Sequence, residues 1–481
     1  MNAPLRKVAI AVFILFGLLF ANLNYVQFFQ GDELRRDPTN QRVQLQEYER
    51  QRGSIVVDGQ AIATSKETNG RLKYLRTYPA PALYPHVTGF QSPRFGEAGI
   101  ERSEDAVLSG NDDRLFVRRV SEIITGRRPK GGNVVLTLNR KVQQAAFEAL
   151  QNRKGAIAAL DPQTGEILAM VSGPAYDPNN LASHDPDVEK RAWDQLNANP
   201  DKPLLNRALR QTYPPGSTFK VIVSAAALKD GATAETRVPS PLQYTPPQTT
   251  KFIQNFRGSG CGGESVTLLR ALTVSCNTAY AQLGVELGAD KVTSMAREFG
   301  FEDEKLSVPL SVVPSRLGDI PDPPSLAQSS IGQRDVRMTP LQGAMIAGAV
   351  ANNGTLMRPY LVREVQAPDR SPLDTTDPQE MSQPLNAQQA GELQKMMQGV
   401  VQRGTGKQAR ISGVEVGGKT GTAEDGDQRQ DHSWFICYAI VDGEAVGAVA
   451  VVLENAGTSS SSTAAIARQV LQSIVENRGP R

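Results

Sequence analysis

Residues 213–229 read YPPGSTFKVIVSAAALK. Tyr213-Pro214-Pro215-Gly216 is turn chemistry, and the Ala-rich apolar run from Phe219 to Lys229 that follows has helical character. At the junction stands Ser217-Thr218-Phe219-Lys220, the only S-x-x-K in the chain. Three positions apart on a helix, a serine hydroxyl and a lysine amine share one face, so an amine of lowered pKa can take the hydroxyl proton. A helix N-terminus also aims backbone N–H groups at an oxyanion developing there. A chance S-x-x-K is expected about once or twice in so long a chain, so the motif carries weight only with companions.

Two companions lie downstream. Ser275-Cys276-Asn277 stands at the start of, or just inside, a helix expected over Ser275 to Leu287, and Lys419-Thr420-Gly421-Thr422 precedes a C-terminal hairpin. In the order S-x-x-K, S-x-N, K-T-G, signals that are weak singly become strong together. Ser109-Gly110-Asn111 is a second S-x-N, but it precedes the nucleophile in a polar region and reads as a turn.

Around these motifs the pattern is α+β. Val134 to Leu138 is strand-like, and Arg140 to Leu150 is helix-like with Val142, Ala145, Ala146, Ala149 and Leu150 on one face. Gly155 to Leu160 and Glu166 to Val171 are apolar strands joined by the turn Asp161-Pro162-Gln163-Thr164-Gly165. Leu268 to Leu287 and Pro340 to Asn352 read as helices, and Thr463 to Asn477 as a closing helix. Trp434 to Ile440 and Ala445 to Leu453 flank Asp442-Gly443-Glu444 as a second hairpin. Strands at both ends with helices between them predict an antiparallel sheet with helices packed on both sides. Ala234 to Glu264 and Gln366 to Gln383 read as loop excursions.

The 481 residues allow several domains at about 100 to 200 residues each. A hydrophobic content of 40% supplies ordinary cores and excludes collagen-like or low-complexity chains. With 52 Lys and Arg against 50 Asp and Glu, and no long block of one sign, there is no footprint for nucleic acid. Three Cys and three His cannot build repeated metal clusters, so neither a metal nor a cofactor is expected.

Val8 to Phe20 is a continuous apolar and Gly run that resumes at Tyr25, Val26, Phe28 and Phe29. About 20 apolar residues span a bilayer, so the segment reaches across if Asn22 and Asn24 stay near an interface. Arg6 and Lys7 would also suit a cleaved signal, but no A-x-A site follows, and an uncleaved anchor is the reading. Arg6 and Lys7 before the span and Arg35 and Arg36 after it leave its orientation open. The chain therefore divides into a tail and anchor (1–30), a small accessory domain (31–130) and a catalytic domain (131–481).

The three motifs resemble those of the penicillin-binding and serine β-lactamase superfamily, most closely the class B, monofunctional penicillin-binding proteins of the actinobacterial PbpA type. The likeness extends to Arg52-Gly53-Ser54-Ile55, Gly99-Ile100-Glu101, Leu160 to Ile167, Asn206-Arg207-Ala208, Ile331-Gly332-Gln333, Thr339 to Gln342 and His432 to Phe435. One departure is Val56-Val57-Asp58-Gly59, where class B proteins carry Asp-Arg-Asn-Gly. The resemblance implies a transpeptidase-like fold and a peptidoglycan D,D-transpeptidase, acting in cell-wall synthesis during growth or division and acylated by β-lactams. It implies Ser217 as nucleophile, Lys220 as its general base, Ser275 as proton relay, and Asn277 orienting Lys220 and the substrate amide. Lys419, Thr420, Gly421 and Thr422 would bind the stem-peptide carboxylate, with the Ser217 and Thr422 N–H groups as oxyanion hole. Because that substrate lies outside the cytoplasmic membrane, the catalytic region is expected there, on a single-pass anchor. A glycan polymerase of the SEDS family is the implied partner. In such a location Cys261 and Cys276 are candidates for a disulfide, whereas Cys437 lies in an apolar strand and reads as a buried thiol.

Rival readings remain. Gly413 to Thr420 satisfies G-x-x-x-x-G-K-[ST], a nucleotide-binding loop, but such a loop needs a helix directly after its lysine, and Gly421 to His432 is polar and helix-poor. A β-lactam hydrolase of the same superfamily is a second alternative, weakened by the lack of an E-x-x-L-N signature between Ser275 and Lys419. His432 suggests a serine triad, yet no G-x-S-x-G elbow occurs, and it reads as a strand-end residue beside core residues Trp434 and Phe435.

Overall fold

The computed structural model describes residues 2–31, 48–116, 125, 130–423, 431–457 and 460–478. Arg35 and Arg36 lie outside the described residues. In chain order the elements include α1 (Asn2–Phe28), β1 (Ile55–Val57), β2 (Gln60–Glu67), β3 (Tyr74–Thr77), β4 (Asn133–Leu136), α2 (Arg140–Leu150), β5 (Gly155–Leu160), β6 (Ile167–Gly173), α3 (Lys220–Lys229) and α4 (Asn277–Leu287). There follow α5 (Pro340–Ala351), β7 (Val362–Gln366), β8 (Pro372–Thr375), α6 (Ala387–Arg403), β9 (Glu415–Ala423), β10 (His432–Val441), β11 (Glu444–Leu453) and α7 (Ser460–Glu476).

The two expected hairpins join into one five-stranded antiparallel sheet of order β9-β10-β11-β5-β6. The seam is β11 against β5, with Ala450 opposite Ala158 and Leu453 opposite Gly155. Helix α5 covers one face and α2 with α7 the other. Alternate side chains serve the two cores: Ala156, Ala158, Trp434 and Ile436 pack on the α5 side, Ile157, Ala159, Phe435 and Cys437 on the opposite side. A sheet covered on both faces needs apolar residues at every position, which is why these strands read as unbroken apolar runs. By the same logic α5, buried at every position, is apolar all round save for Gln342, whose amide donates to Phe299 O (2.6 Å).

A second sheet has six strands in the order β8-β7-β4-β1-β2-β3, with β1 and β4 parallel. It draws strands from both sides of residue 130. The Gln366 to Gln383 excursion is therefore more than a loop, since it contributes β8 to this sheet's edge and a further short strand, Glu380–Ser382. The atypical Val57-Asp58-Gly59 stretch makes the tight β1–β2 turn, with φ of 46° at Asp58 and 74° at Gly59, as a hairpin of the primed type demands. Beneath this sheet, Arg52 and Arg76 both reach the fully buried Glu101, at 2.8 and 2.6 Å. Burial alone would raise the Glu101 pKa, but Arg76 and Arg52 hold it below the ordinary value.

The helix expected over Leu268 to Leu287 is broken in two, Leu268–Thr273 and α4. At the break Ser275 N–H donates to Leu272 O (3.1 Å) and Cys276 N–H to Ala271 O (2.9 Å), while Ser275 takes a φ of +60°. This is a Schellman ending with serine where glycine is usual. The steric cost of a side chain in left-handed backbone is borne at one of the motif serines.

Candidate active site

Ser217 lies on a short 3-10 turn, Gly216–Phe219, and Lys220 is the first residue of α3. The expected α-helical spacing is thus a 3-10 spacing, which stacks positions three apart even more directly. The turn is wedged against β9, the edge strand of the five-stranded sheet. Gly216 has a φ of +53°, and a Cβ there would stand 2.3 Å from Thr422 O. From the strand side, a Cβ on Gly421 would meet Pro215 O at 2.7 Å. Two glycines therefore let the backbones of Ser217 and Thr422 come together. The Trp434 indole N–H donates to Pro214 O (3.0 Å) and the Gly216 N–H to Gly332 O (2.9 Å), holding the turn from two further sides.

Both motif lysines are fully buried. The Lys220 amine donates to Ser275 O (2.8 Å), Ser275 Oγ (3.3 Å) and Asn277 Oδ1 (2.6 Å), and it stands 5.6 Å from the centre of the Tyr280 ring. Lys419 Nζ donates to Ser275 Oγ (2.9 Å) and Thr420 O (2.9 Å). One serine hydroxyl thus accepts from two amines and keeps its own proton free to donate. Burial, and then the charge of Lys419, lower the Lys220 pKa well below the ordinary lysine value. Burial brings Lys419 down to about 7.

Ser217, Ser275, Asn277 and Thr422 are only partly buried, so these residues keep some access to solvent beside the two fully buried lysines. No hydrogen bond joins Lys220 to Ser217 Oγ among the described residues. As an ammonium, Lys220 has three donors and finds three acceptors in Ser275 and Asn277; only loss of a proton gives it a lone pair to offer a hydroxyl. Thr420 is buried, and its hydroxyl pairs with Thr405 Oγ1 at 2.6 Å.

Thr405 and Tyr280 escaped the sequence reading. Thr405 is flanked by glycines after α6 and resembles any turn residue, while Tyr280 lies three positions after Asn277, a spacing that helical periodicity alone would flag. Cys261 and Cys276 are joined in a disulfide with Cα atoms 5.8 Å apart, and Cys437 is a buried free thiol. The Gly413 to Thr420 match is not a phosphate loop: β9 runs straight through Lys419 to Ala423, so a strand and not a helix follows the lysine directly. His432 packs edge-on against Tyr213, and its Nδ1 accepts from Asn455 N–H at 3.2 Å. Among the described residues no cluster of His, Cys, Asp and Glu could hold a metal ion.

The chain is similar to known proteins over most of its length. Residues 155–472 match the penicillin-binding protein transpeptidase domain, and residues 52–134 the penicillin-binding protein A dimerisation domain. The chain is 47% identical over 472 residues to the peptidoglycan D,D-transpeptidase PbpA of Mycolicibacterium smegmatis, covering 96% of each chain. It is 46% identical to that of Mycobacterium tuberculosis, covering 99% of each. The solved imipenem acyl-enzyme of M. tuberculosis penicillin-binding protein A superposes with a TM-score of 0.86 at 45% identity, over 90% of this chain and 100% of that one.

Proposed function

The chain belongs to the penicillin-binding protein transpeptidase family, and on that premise we propose how its residues carry out peptidoglycan D,D-transpeptidation. Neutral Lys220 takes the proton of Ser217 Oγ as that oxygen attacks the penultimate carbonyl of a D-Ala-D-Ala stem. The N–H groups of Ser217 and Thr422 hold the oxyanion of the tetrahedral intermediate. As the C–N bond breaks, the proton passes from Lys220 through Ser275 to the departing D-alanine amine, leaving the acyl group on Ser217. An amine of a neighbouring stem then loses its proton by the same route in reverse, attacks the ester and releases Ser217 with a new amide bond. Charged Lys419, with Thr420 and Thr422, receives the terminal carboxylate, and Asn277 orients Lys220 and the substrate amide.

The observation that carries this assignment is the convergence of two buried amines on Ser275 Oγ, one strongly shifted toward neutrality and the other near its midpoint at pH 7. A β-lactam enters by the same attack, but its cleaved amide nitrogen stays tethered and blocks the acceptor. The test uses a D-Ala-D-Ala stem peptide and an acceptor amine. Released D-alanine and cross-linked product should form in equal amounts with the parent protein, and neither should form with Ser217→Ala. Product formation by the variant would overturn the nucleophile assignment.

For the remainder of the chain we infer an uncleaved single-pass anchor, an accessory domain at 31–130 and an extracytoplasmic catalytic domain at 131–481. Helix α1 is apolar overall and is exposed at every described position but the half-buried Val26, and its Asn24 side chain donates to Phe20 O (2.7 Å), which satisfies one donor of that amide inside the helix. A SEDS-family polymerase would dock on α1 and the accessory domain. An N-terminus beyond residue 20 in the mature protein would contradict the anchor.

A further inference from the structure

The excursion from Ala234 to Glu264 turns Phe252 and Phe256 out to solvent, 51% and 58% exposed, yet buries the asparagine between them, Asn255, to 5%. That inverts the usual order of an exposed loop. Asn255 Oδ1 accepts from the backbone N–H of Asn277 (2.7 Å) and of Thr278 (3.2 Å), and its Nδ2 donates to Thr278 Oγ1 (3.3 Å). Helix α4 begins after Cys276, whose side chain makes no capping bond, so the first N–H groups of the helix are satisfied from a loop 22 residues upstream. The neighbouring Gln254 O accepts from Asn277 Nδ2 (3.2 Å). With its amide nitrogen turned to Gln254, Asn277 must present Oδ1 to Lys220, and the second N–H of that amide is left for a substrate carbonyl. The Cys261–Cys276 disulfide ties the far end of the same loop to the residue before α4.

We propose that Asn255 is a positioning residue of the acylation step: from outside the three motifs it fixes the start of α4, and through it the Asn277 carbonyl that holds the Lys220 amine. The inference rests on Lys220 acting as base. Lys220 has no contact with Asn255 itself, so Asn255 acts only through the angle and depth at which Asn277 is offered. A loosened Asn277 lets the amine drift from Ser217, which slows bond formation and leaves the carboxylate grip of Lys419 and Thr422 in place.

The experiment is stopped-flow acylation of the full-length, detergent-solubilised protein by a chromogenic penicillin, separating the pre-covalent dissociation constant from the acylation rate constant. Asn255→Ala should lower the rate constant about 10- to 100-fold and change the dissociation constant by less than about threefold. Asn255→Asp keeps both acceptor contacts at the helix N-terminus and should stay within about threefold of the parent. A parental rate for Asn255→Ala, a loss confined to the dissociation constant, or Asn255→Asp as slow as Asn255→Ala would each overturn the proposal. If Asn255→Ala shows no cooperative unfolding transition, Asn255→Ser replaces it, because its shorter hydroxyl reaches less far; serine slow and aspartate fast supports the proposal, and equal rates overturn it. Lys220→Arg is run beside them. If it acylates at the parental rate, the base assignment falls and this inference with it; if it is inactive while Asn255→Ser is parental, this inference alone falls.

Discussion

Lys220 and Lys419 are one residue type with opposite duties, and their surroundings decide which does which. Lys220 must be neutral to accept a proton, and burial together with the neighbouring charge depresses its pKa. Lys419 must be charged to meet a carboxylate, and at about 7 it sits at the edge of losing its proton, a loss that a bound carboxylate opposes. The acylation rate should therefore rise with pH through the Lys220 pKa and fall again as pH passes about 7 in the free enzyme. Lys419→Ala removes the repelling charge, so the Lys220 pKa rises and the acid limb should move to higher pH; a limb that stays put or moves down contradicts the coupling. Lys220→Arg cannot deprotonate and should be as inactive as Lys220→Ala, whereas Lys419→Arg keeps the charge and should retain part of the rate. The pairing of these lysines through Ser275 could not be read from the chain, because Ser275 and Lys419 stand 144 positions apart and only register brings them together. Their residue types could be read, since S-x-x-K, S-x-N and K-T-G are local strings.

The elements show the same division between local pattern and tertiary decision. Helix α2 and strand β5 have the bounds that periodicity predicts, because amphipathic spacing and an unbroken apolar run are local properties. The helix start near Ser275 was legible, but the way the preceding helix ends was not: a Schellman ending is recognised by its glycine, and here serine occupies that position. Strand β8 was missed because Pro372–Thr375 is polar and mostly exposed, an edge strand defined by its pairing with β7 rather than by a buried face. Strand β9 carries K-T-G on an edge pressed against the Ser217 turn, so Gly421→Ala should force strand and turn apart and lower acylation at least about tenfold, measurable as the second-order rate with a penicillin. The disulfide closes a span of 15 positions and should stabilise by about 3 kcal/mol. Denatured, unreduced protein should expose a single free thiol, Cys437; titration of all three cysteines would contradict the bridge.

At the scale of the whole molecule, the accessory sheet is built from both regions of the chain. Strands β4, β7 and β8 continue the sheet that β1 to β3 begin, and the Arg52–Glu101–Arg76 cluster is buried below it. Removing Glu101 leaves the buried Arg76 without its carboxylate and Arg52 with only Asp105 and Glu97 as ion-pair partners. Glu101→Ala should therefore destabilise the fold by about 3–5 kcal/mol in denaturant unfolding. Since the folded carboxyl is held below its ordinary pKa, its contribution is present above that value and is lost as pH falls through the lowered one. The central claim, that Ser217 is the group acylated, is tested most directly by incubating the purified protein with benzylpenicillin and mapping the adduct by peptide mass spectrometry. The account predicts one penicilloyl group per chain, on Ser217, and none on folded Ser217→Ala; an adduct on another residue, or no adduct on the folded parent, would contradict it.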